Sequence, residues 1–221
     1  ICVEFACTDH NNILFTESFE EYQPTTNTWY ASGTQVVPDG WATMMTPSEN
    51  NYSAPYLVTY DYNSEYTLDY ASDGFNYMTF HNYNVNTYFY AVMPYIDASD
   101  LSSYSFTFDA KNEGNSNSLT LSAGYIIDDA LSITSNSYAR VNENFVSLST
   151  CSLGTEHKYI SFNVSLSALQ SVINQGHKVR LAFKGYVPSN NSFNAIFIDN
   201  IVIGKYAQNQ QTTVTASNYG V

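Results

Sequence analysis

Apolar side chains recur at every second position along much of this chain, and that period limits the folds open to it. In YSFTFDA, Tyr104, Phe106, Phe108 and Ala110 share a face. In SLTLSAGYII, Leu119, Leu121, Ala123, Tyr125 and Ile127 do the same. KYISFNVSL sets Ile160, Phe162, Val164 and Leu166 against Tyr159, Ser161, Asn163 and Ser165; KVRLAFKGY sets Val179, Leu181 and Phe183 against Arg180 and Lys184. Successive strand residues point to opposite faces, so the pattern predicts strands with one buried side. Further strands are expected near residues 13–19, 56–60, 66–70, 76–81, 87–93, 138–148 and 195–203. Turn-forming clusters separate them: PDG at 38–40, SDG at 72–74, KNEGNSNS at 111–118 and VPSNNS at 187–192. This spacing predicts an all-β, antiparallel sandwich. One segment departs from it. In LSALQSVINQG, Leu166, Leu169, Val172 and Ile173 are helically spaced and Gly176 suits a C-cap, so one short helix is expected.

With 221 residues and 44% hydrophobic content, the chain can build a single sizeable core. Residues 13–204 read as the folded domain, 1–12 as an N-terminal lead and 205–221 as a polar linker or tail. Both ends look cut from something larger, so the chain is expected to be part of a multidomain protein. The net charge is −13, from seven Lys plus Arg against 20 Asp plus Glu. A chain without clustered cations is not expected to bind nucleic acid or an anionic membrane surface. It lacks the ~18-residue apolar run of a membrane-spanning helix, and membrane insertion is not expected. So many carboxylates either lie in solvent or bind a hard cation such as Ca²⁺. The three cysteines do not describe a disulfide framework: Cys2 and Cys7 could pair, leaving Cys151 free.

GxSxG, HExxH, Walker and GxGxxG signatures are absent, and His10, His81, His157 and His177 are scattered. Glu20-Glu21 and Asp128-Asp129 are sequence neighbours, which on a strand point apart and cannot face each other across a cleft. Asp199 is more informative. It lies in FNAIFIDNIVIG, a run apolar on both faces and therefore a buried strand. An ionised carboxylate there is costly unless paired, and with so few Lys and Arg a metal ion is a reasonable partner. Alternatively, Asp199 marks the strand's exposed end and accepts backbone hydrogen bonds. At the other end of the chain, ILFTESFEEY carries Glu17, Glu20 and Glu21 around Phe19. If first and last strands pair, Glu20 approaches Asp199, and two carboxylates plus carbonyls would suit Ca²⁺.

The same landmarks carry a family likeness. Phe19-Glu20, Gly40-Trp41 and Ile198-Asp199-Asn200-Ile201 resemble, in order, those of the cleaved-adhesin and MAM-like jelly-roll domains of secreted Bacteroidetes proteins, a galactose-binding-like β-sandwich. YFYAVMPYIDASDLSSYSFTFDAKNE resembles the family's central strands, and GYIID, FVSLST, YISFNVSL and VRLAFKGY its later ones, a likeness spanning about residues 13–204. The resemblance implies a two-sheet antiparallel jelly roll, a secreted or cell-surface location and a structural Ca²⁺. By position it makes Glu20 and Asp199 cation ligands, with Glu17 a further candidate, and it places Trp41 in the core. The long segment between Glu20 and Gly40, the Tyr- and Asn-rich stretch 47–80 and the helical LSALQSVINQG depart from the pattern.

Three functional classes follow. The first is a non-catalytic binding or adhesion module for carbohydrate, a host surface glycan or a host surface protein. Trp29, Tyr30, Tyr52 and Tyr56 are its candidate ligand residues, within an aromatic content of 16% concentrated in loops and in the stretch from Tyr52 to Tyr95. Aromatic rings stack on sugar faces while Asn and Asp read hydroxyls, although Tyr is also simply a good half-exposed strand residue. The second is a structural spacer in a larger surface protein. The third, a glycoside hydrolase, requires a concave face with two converging carboxylates.

Overall fold

The computed structural model describes residues 12–23, 35–46, 54–59, 71–82, 86–114, 118–188 and 194–205. Its strands are β1 (Ile13–Glu17), β2 (Ala42–Thr46), β3 (Tyr56–Thr59), β4 (Asn76–Asn82), β5 (Thr87–Val92), β6 (Tyr104–Gly114), β7 (Thr120–Ile127), β8 (Val146–Cys151), β9 (Ile160–Ser165), β10 (Val179–Val187) and β11 (Asn194–Lys205). They form two antiparallel sheets. One has the order β3-β4-β11-β6-β9, with β1 also against β11; the other has the order β2-β5-β10-β7-β8. The chain passes repeatedly from one sheet to the other, as in a jelly roll.

The alternating residues meet between the sheets as the sequence predicts. Phe106, Phe108, Ile196 and Ile198 of one sheet pack against Phe89, Leu121, Leu181 and Phe183 of the other. Phe183 lies edge-on to Phe108 at 4.8 Å and tilted to Phe106 at 5.1 Å. At roughly 1.5–3 kcal/mol for each fully buried large apolar side chain, this layer supplies the main drive to fold.

Three expectations need correcting. Residues 138–148 do not form one strand. Tyr138–Asn144 is a short helix, α1, followed by β8. Tyr138, Val141 and Phe145 recur at helical spacing and pack on Tyr90, Val92, Ile126 and Ala182, so tertiary burial overrides their strand preference. The helix expected after Leu166 is present as a 3-10 turn, Ser167–Leu169, running into α2 (Gln170–Asn174), so the described residues hold two short α-helices where one was expected. The turn expected from residue 111 begins later, because β6 continues to Gly114. Lys111, only 2% exposed, pairs with Glu113 at 3.2 Å, and its ammonium lies 5.1 Å from the Tyr159 ring centre. β2 was not anticipated, and the strand expected at 66–70 lies outside the described residues.

The last strand, β11, organises the six-stranded sheet. β6 runs along one side of it. Along the other, β4 pairs with residues up to Ile198, and β1 takes over from Ile201. The sequence marks this junction. Ile196 and Ile198 face the core, and strict alternation would bring Asn200 there next. Instead the ladder shifts between Asp199 and Val202, Asn200 adopts a positive φ of 50°, and Ile201 and Ile203 return to the core. A bulge with Asn in the left-handed region resets the phase at modest cost, because Asn tolerates that conformation better than most residues.

Candidate functional site

Where β1 stops and β4 starts, the sheet has a seam, and carboxylates fill it. Asp199 is fully buried on the outer side of the six-stranded sheet. Its Oδ2 accepts the backbone N–H groups of Ser72 (2.7 Å) and Asp73 (3.0 Å), and its Oδ1 accepts that of Asn200 (2.7 Å). Glu20, just beyond β1, accepts the next two N–H groups of the same loop through Oε1: Phe75 at 2.9 Å and Asn76 at 2.7 Å. The two carboxylates at opposite ends of the chain therefore grip one five-residue segment that is contiguous with neither. Gly74 lets them do so: its φ is +66°, and a Cβ there would lie 2.3 Å from the Glu20 carboxyl carbon.

Asp109 completes the cluster. It is the cross-strand partner of Asp199, so both side chains emerge on the same face. Its carboxylate accepts the hydroxyls of Ser72 and Ser161, each at 2.5 Å, and the side-chain amide of Asn200 at 3.2 Å. Burial pushes the Asp199 carboxyl up to about 7, outweighing the three N–H donors that favour its ionised form, and the nearby charge of Glu20 adds to the rise.

The expected pairing of first and last strands is present, with Glu17 opposite Ile201. Glu20 and Asp199 are brought together on the loop at 72–76. Glu17 turns back on its own chain. Its Oε1 accepts the N–H of Phe19 at 2.8 Å and so supports Phe19, which is fully buried with φ 63° and packs 6.1 Å from Trp41. Two landmarks of the resemblance thus touch, and Trp41 is in the core as anticipated. Among the described residues, no three carboxylate, imidazole or thiol groups are arranged to hold a metal ion, and none of the cations forms an ion pair with Glu20, Asp109 or Asp199.

Of the aromatic ligand candidates, Trp29, Tyr30 and Tyr52 lie outside the described residues. Tyr56 is 9% exposed and packs with Val58, Tyr77 and Phe197. An open groove of about 310 Å³ occurs elsewhere, on the outer face of the five-stranded sheet. That volume is at the small end of ligand sites, roughly 300–1,000 Å³. Strand register builds it in rows. Tyr90, Lys184, Ser122 and Thr150 stand side by side on β5, β10, β7 and β8; Tyr88, Tyr186 and Thr120 form the next row. The Tyr88 and Tyr186 rings lie 4.8 Å apart, and Tyr88 is 42% exposed. The Lys184 ammonium sits 5.5 Å from the ring centres of both Tyr88 and Tyr90 and 5.9 Å from that of Phe145.

Phe145, the C-cap of α1, builds one wall of this groove. Asn142 of α1 accepts the Tyr90 hydroxyl at 2.8 Å, and Phe145 beyond it lies 5.8 Å from the Tyr90 ring. Phe145 comes this close because Gly124 is beneath it. A Cβ at Gly124 would meet the carbonyl oxygen of Val146 at 2.2 Å and the Phe145 ring at 2.7 Å.

The architecture matches solved structures despite low sequence identity. The K1 cleaved adhesin domain of Lys-gingipain from Porphyromonas gingivalis W83 aligns with TM-score 0.56 and 12% identity, over 87% of this chain and 98% of that domain. The K3 cleaved adhesin domain of the same protein aligns with TM-score 0.53 and 16% identity, over 87% and 99%. The fold is that of the cleaved adhesin domains. A Stig cyclase, Fisc from Fischerella sp. TAU, also aligns, with TM-score 0.50 and 16% identity over 84% of this chain and 92% of that one. The cleaved-adhesin sandwich is thus a scaffold shared with a cyclase, and function has to be argued from the sites. No protein-family model and no curated protein matches the sequence.

The structural likeness agrees with the landmarks Phe19-Glu20, Gly40-Trp41 and Ile198-Asp199-Asn200-Ile201. The sequence reading missed Asp109 and the groove. Asp109 was visible only as one acid among several near residue 100. The groove had a signal: Tyr88 and Tyr90, and likewise Lys184 and Tyr186, alternate away from the core on their strands.

Proposed function

We propose that this domain is a non-catalytic, extracellular binding module that takes a glycan in the groove over β5, β10, β7 and β8. The observation that carries this reading is the groove's chemistry. Adjacent tyrosine rings, tilted by 39° to each other and one of them well exposed, offer apolar ring faces, and the hydroxyls of Thr120, Ser122, Ser147 and Thr150 surround them. Rings and hydroxyls side by side suit a neutral-faced polar ligand such as a sugar. The described lining residues are tyrosine, phenylalanine, serine, threonine and lysine, and the carboxylates of the seam lie on the opposite face of the sandwich. A glycoside hydrolase would need two carboxyl groups across one cleft. The test is a glycan array probed with wild type and Tyr186→Ala. Hits that disappear in the variant support the groove; an array without hits, or hits indifferent to the substitution, removes it.

We also propose that Glu20 and Asp199 hold a structural Ca²⁺, with backbone carbonyl and water oxygens as its further ligands. The donors are all oxygens, and two of the carboxylates are close enough for one charge to raise the other's pKa. A divalent cation would neutralise that repulsion and lock the loop at 72–76 to both chain ends.

A further inference from the structure

Resting on the groove as the glycan site, we propose that its ligand is an anionic saccharide whose carboxylate or sulfate is received by the ammonium of Lys184. The chain holds 20 Asp plus Glu and seven Lys plus Arg, so each cation has many potential carboxylate partners. Several take one: Lys111 with Glu113 at 3.2 Å, Arg140 with Asp128 at 2.8 Å, and Lys158 with Glu156 at 3.5 Å. Lys184 stands in the middle of β10 and forms no ion pair among the described residues. It is held instead by aromatic rings of Tyr88, Tyr90 and Phe145.

Rings position an ammonium without neutralising it. Cation–π contacts fix its place through the ring quadrupole and leave its full charge to act on whatever enters the groove. The cross-strand neighbour of Lys184 on β7 is Ser122, followed on β8 by Thr150, so hydroxyl donors stand along the same row. A carboxylate or sulfate placed there would gain charge-assisted hydrogen bonds, roughly twice as strong as neutral ones, beside the Phe145 wall that limits screening by water. A neutral sugar would stack on Tyr88 and Tyr186 but leave the ammonium without a counter-charge. In a chain of net charge −13, a cation on an open face that meets no carboxylate among the described residues is a selective element.

Titration calorimetry on the full chain tests this with three matched pairs: trigalacturonate against galactotriose, sialyllactose against lactose, and a sulfated disaccharide against its desulfated form. At least one acidic member should bind about tenfold tighter than its neutral partner, the equivalent of about 1.4 kcal/mol. The pair that shows the margin separates uronate, sialate and sulfate. Lys184→Met should lose the margin, so that acidic and neutral partners bind alike, and Lys184→Arg should keep it. If Lys184→Met does not fold, the wild-type comparison and Lys184→Arg still decide. Equal binding of acidic and neutral partners, or a margin that survives in Lys184→Met, overturns the inference and leaves the groove a glycan site. Absence of binding to every sugar overturns both.

Discussion

Outside the six-stranded sheet, Asp199 is fully buried, and its carboxylate oxygens accept N–H groups of the protein's own backbone. Outside the five-stranded sheet, Tyr88 is 42% exposed and Lys184 borders an open groove. The two faces belong to one sandwich and one core, yet they use polar chemistry in opposite directions. At the seam, polar groups satisfy one another and close a gap in the ladder between β1 and β4. In the groove, the hydroxyls and the ammonium lie where a ligand could reach them. The difference teaches that the carboxylate excess of the chain does not by itself mark where binding occurs: the most conspicuous acid in the sequence is an internal fastener, and the candidate ligand site is aromatic, hydroxylated and cationic.

Four experiments press on that contrast. The largest effect is expected from Asp199→Ala, which removes the shared acceptor of three part-buried backbone N–H groups and opens a cavity at a fully buried position; it should cost about 3–5 kcal/mol of stability in urea denaturation. Asp199→Asn, which keeps an acceptor, should cost less. Because the groove is on the other face, whatever fraction of Asp199→Ala folds should bind glycan as wild type does; a parallel loss of affinity would break the separation of the two faces.

Calcium comes next. At a hundred times its dissociation constant it should stabilise the wild type by about 2.7 kcal/mol, and Glu20→Gln should lose most of this; melting with and without chelator measures both. The same melts, run from pH 5 to 8, sharpen the point. The folded pKa of Asp199, about 7, lies above the ordinary 3.8. Its contribution is therefore fully present below that ordinary value and is lost as pH rises through the folded one. With chelator, stability should fall toward pH 8. With calcium, which binds the ionised form, the fall should flatten. A chelated protein that gains stability over this range would remove the account of Asp199.

Gly74→Ala should cost about 1–3 kcal/mol, since it forces a side chain into a positive-φ position and against the Glu20 carboxylate. Chemical denaturation measures it, and an unchanged midpoint would mean the loop is not gripped as described. The smallest effect belongs to the groove. Tyr88→Ala should weaken glycan binding about fivefold to tenfold, about 1 kcal/mol for a lost ring contact, while the melting temperature moves little. A large loss of stability instead would make the Tyr88–Tyr186 pair part of the fold rather than of the binding surface.

How much of this was legible depends on range along the chain. Phe106, Phe108, Leu181 and Phe183 announce their inward face through a period of two, and the alternation survives in the sandwich. Asp199 announces itself through its apolar neighbours, and its two alternative readings both hold in part: it is buried, and it accepts backbone hydrogen bonds. Asp109 was hidden because its importance lies in register with Asp199, some 90 residues away, and register is not written in local pattern. The donors on SDG were hidden for the same reason: a turn cluster says that the chain bends, not which carboxylate its N–H groups will meet. In YARVNEN, Tyr and Val favour a strand in isolation. The helix wins because Val141 is buried against the outer face of the sheet and Phe145 finds a gap above Gly124. The groove went unread because Tyr88, Tyr90, Lys184 and Tyr186 form a surface only after β5 and β10 pair.

The pairing of Ile13 with Gly204 has a mechanical consequence. Tension applied through anything attached to both ends of the sandwich would act at the open end of the β1–β11 ladder. It would peel the hydrogen bonds one after another instead of shearing them together. The seam is the next obstacle along that line: once β1 has been drawn away, load reaches Glu20 and its hold on Phe75 and Asn76. Single-molecule pulling should therefore show a weak first event, then a second whose force rises with calcium. Loss of the second event in Glu20→Gln would identify the carboxylate clasp as the module's mechanical stop.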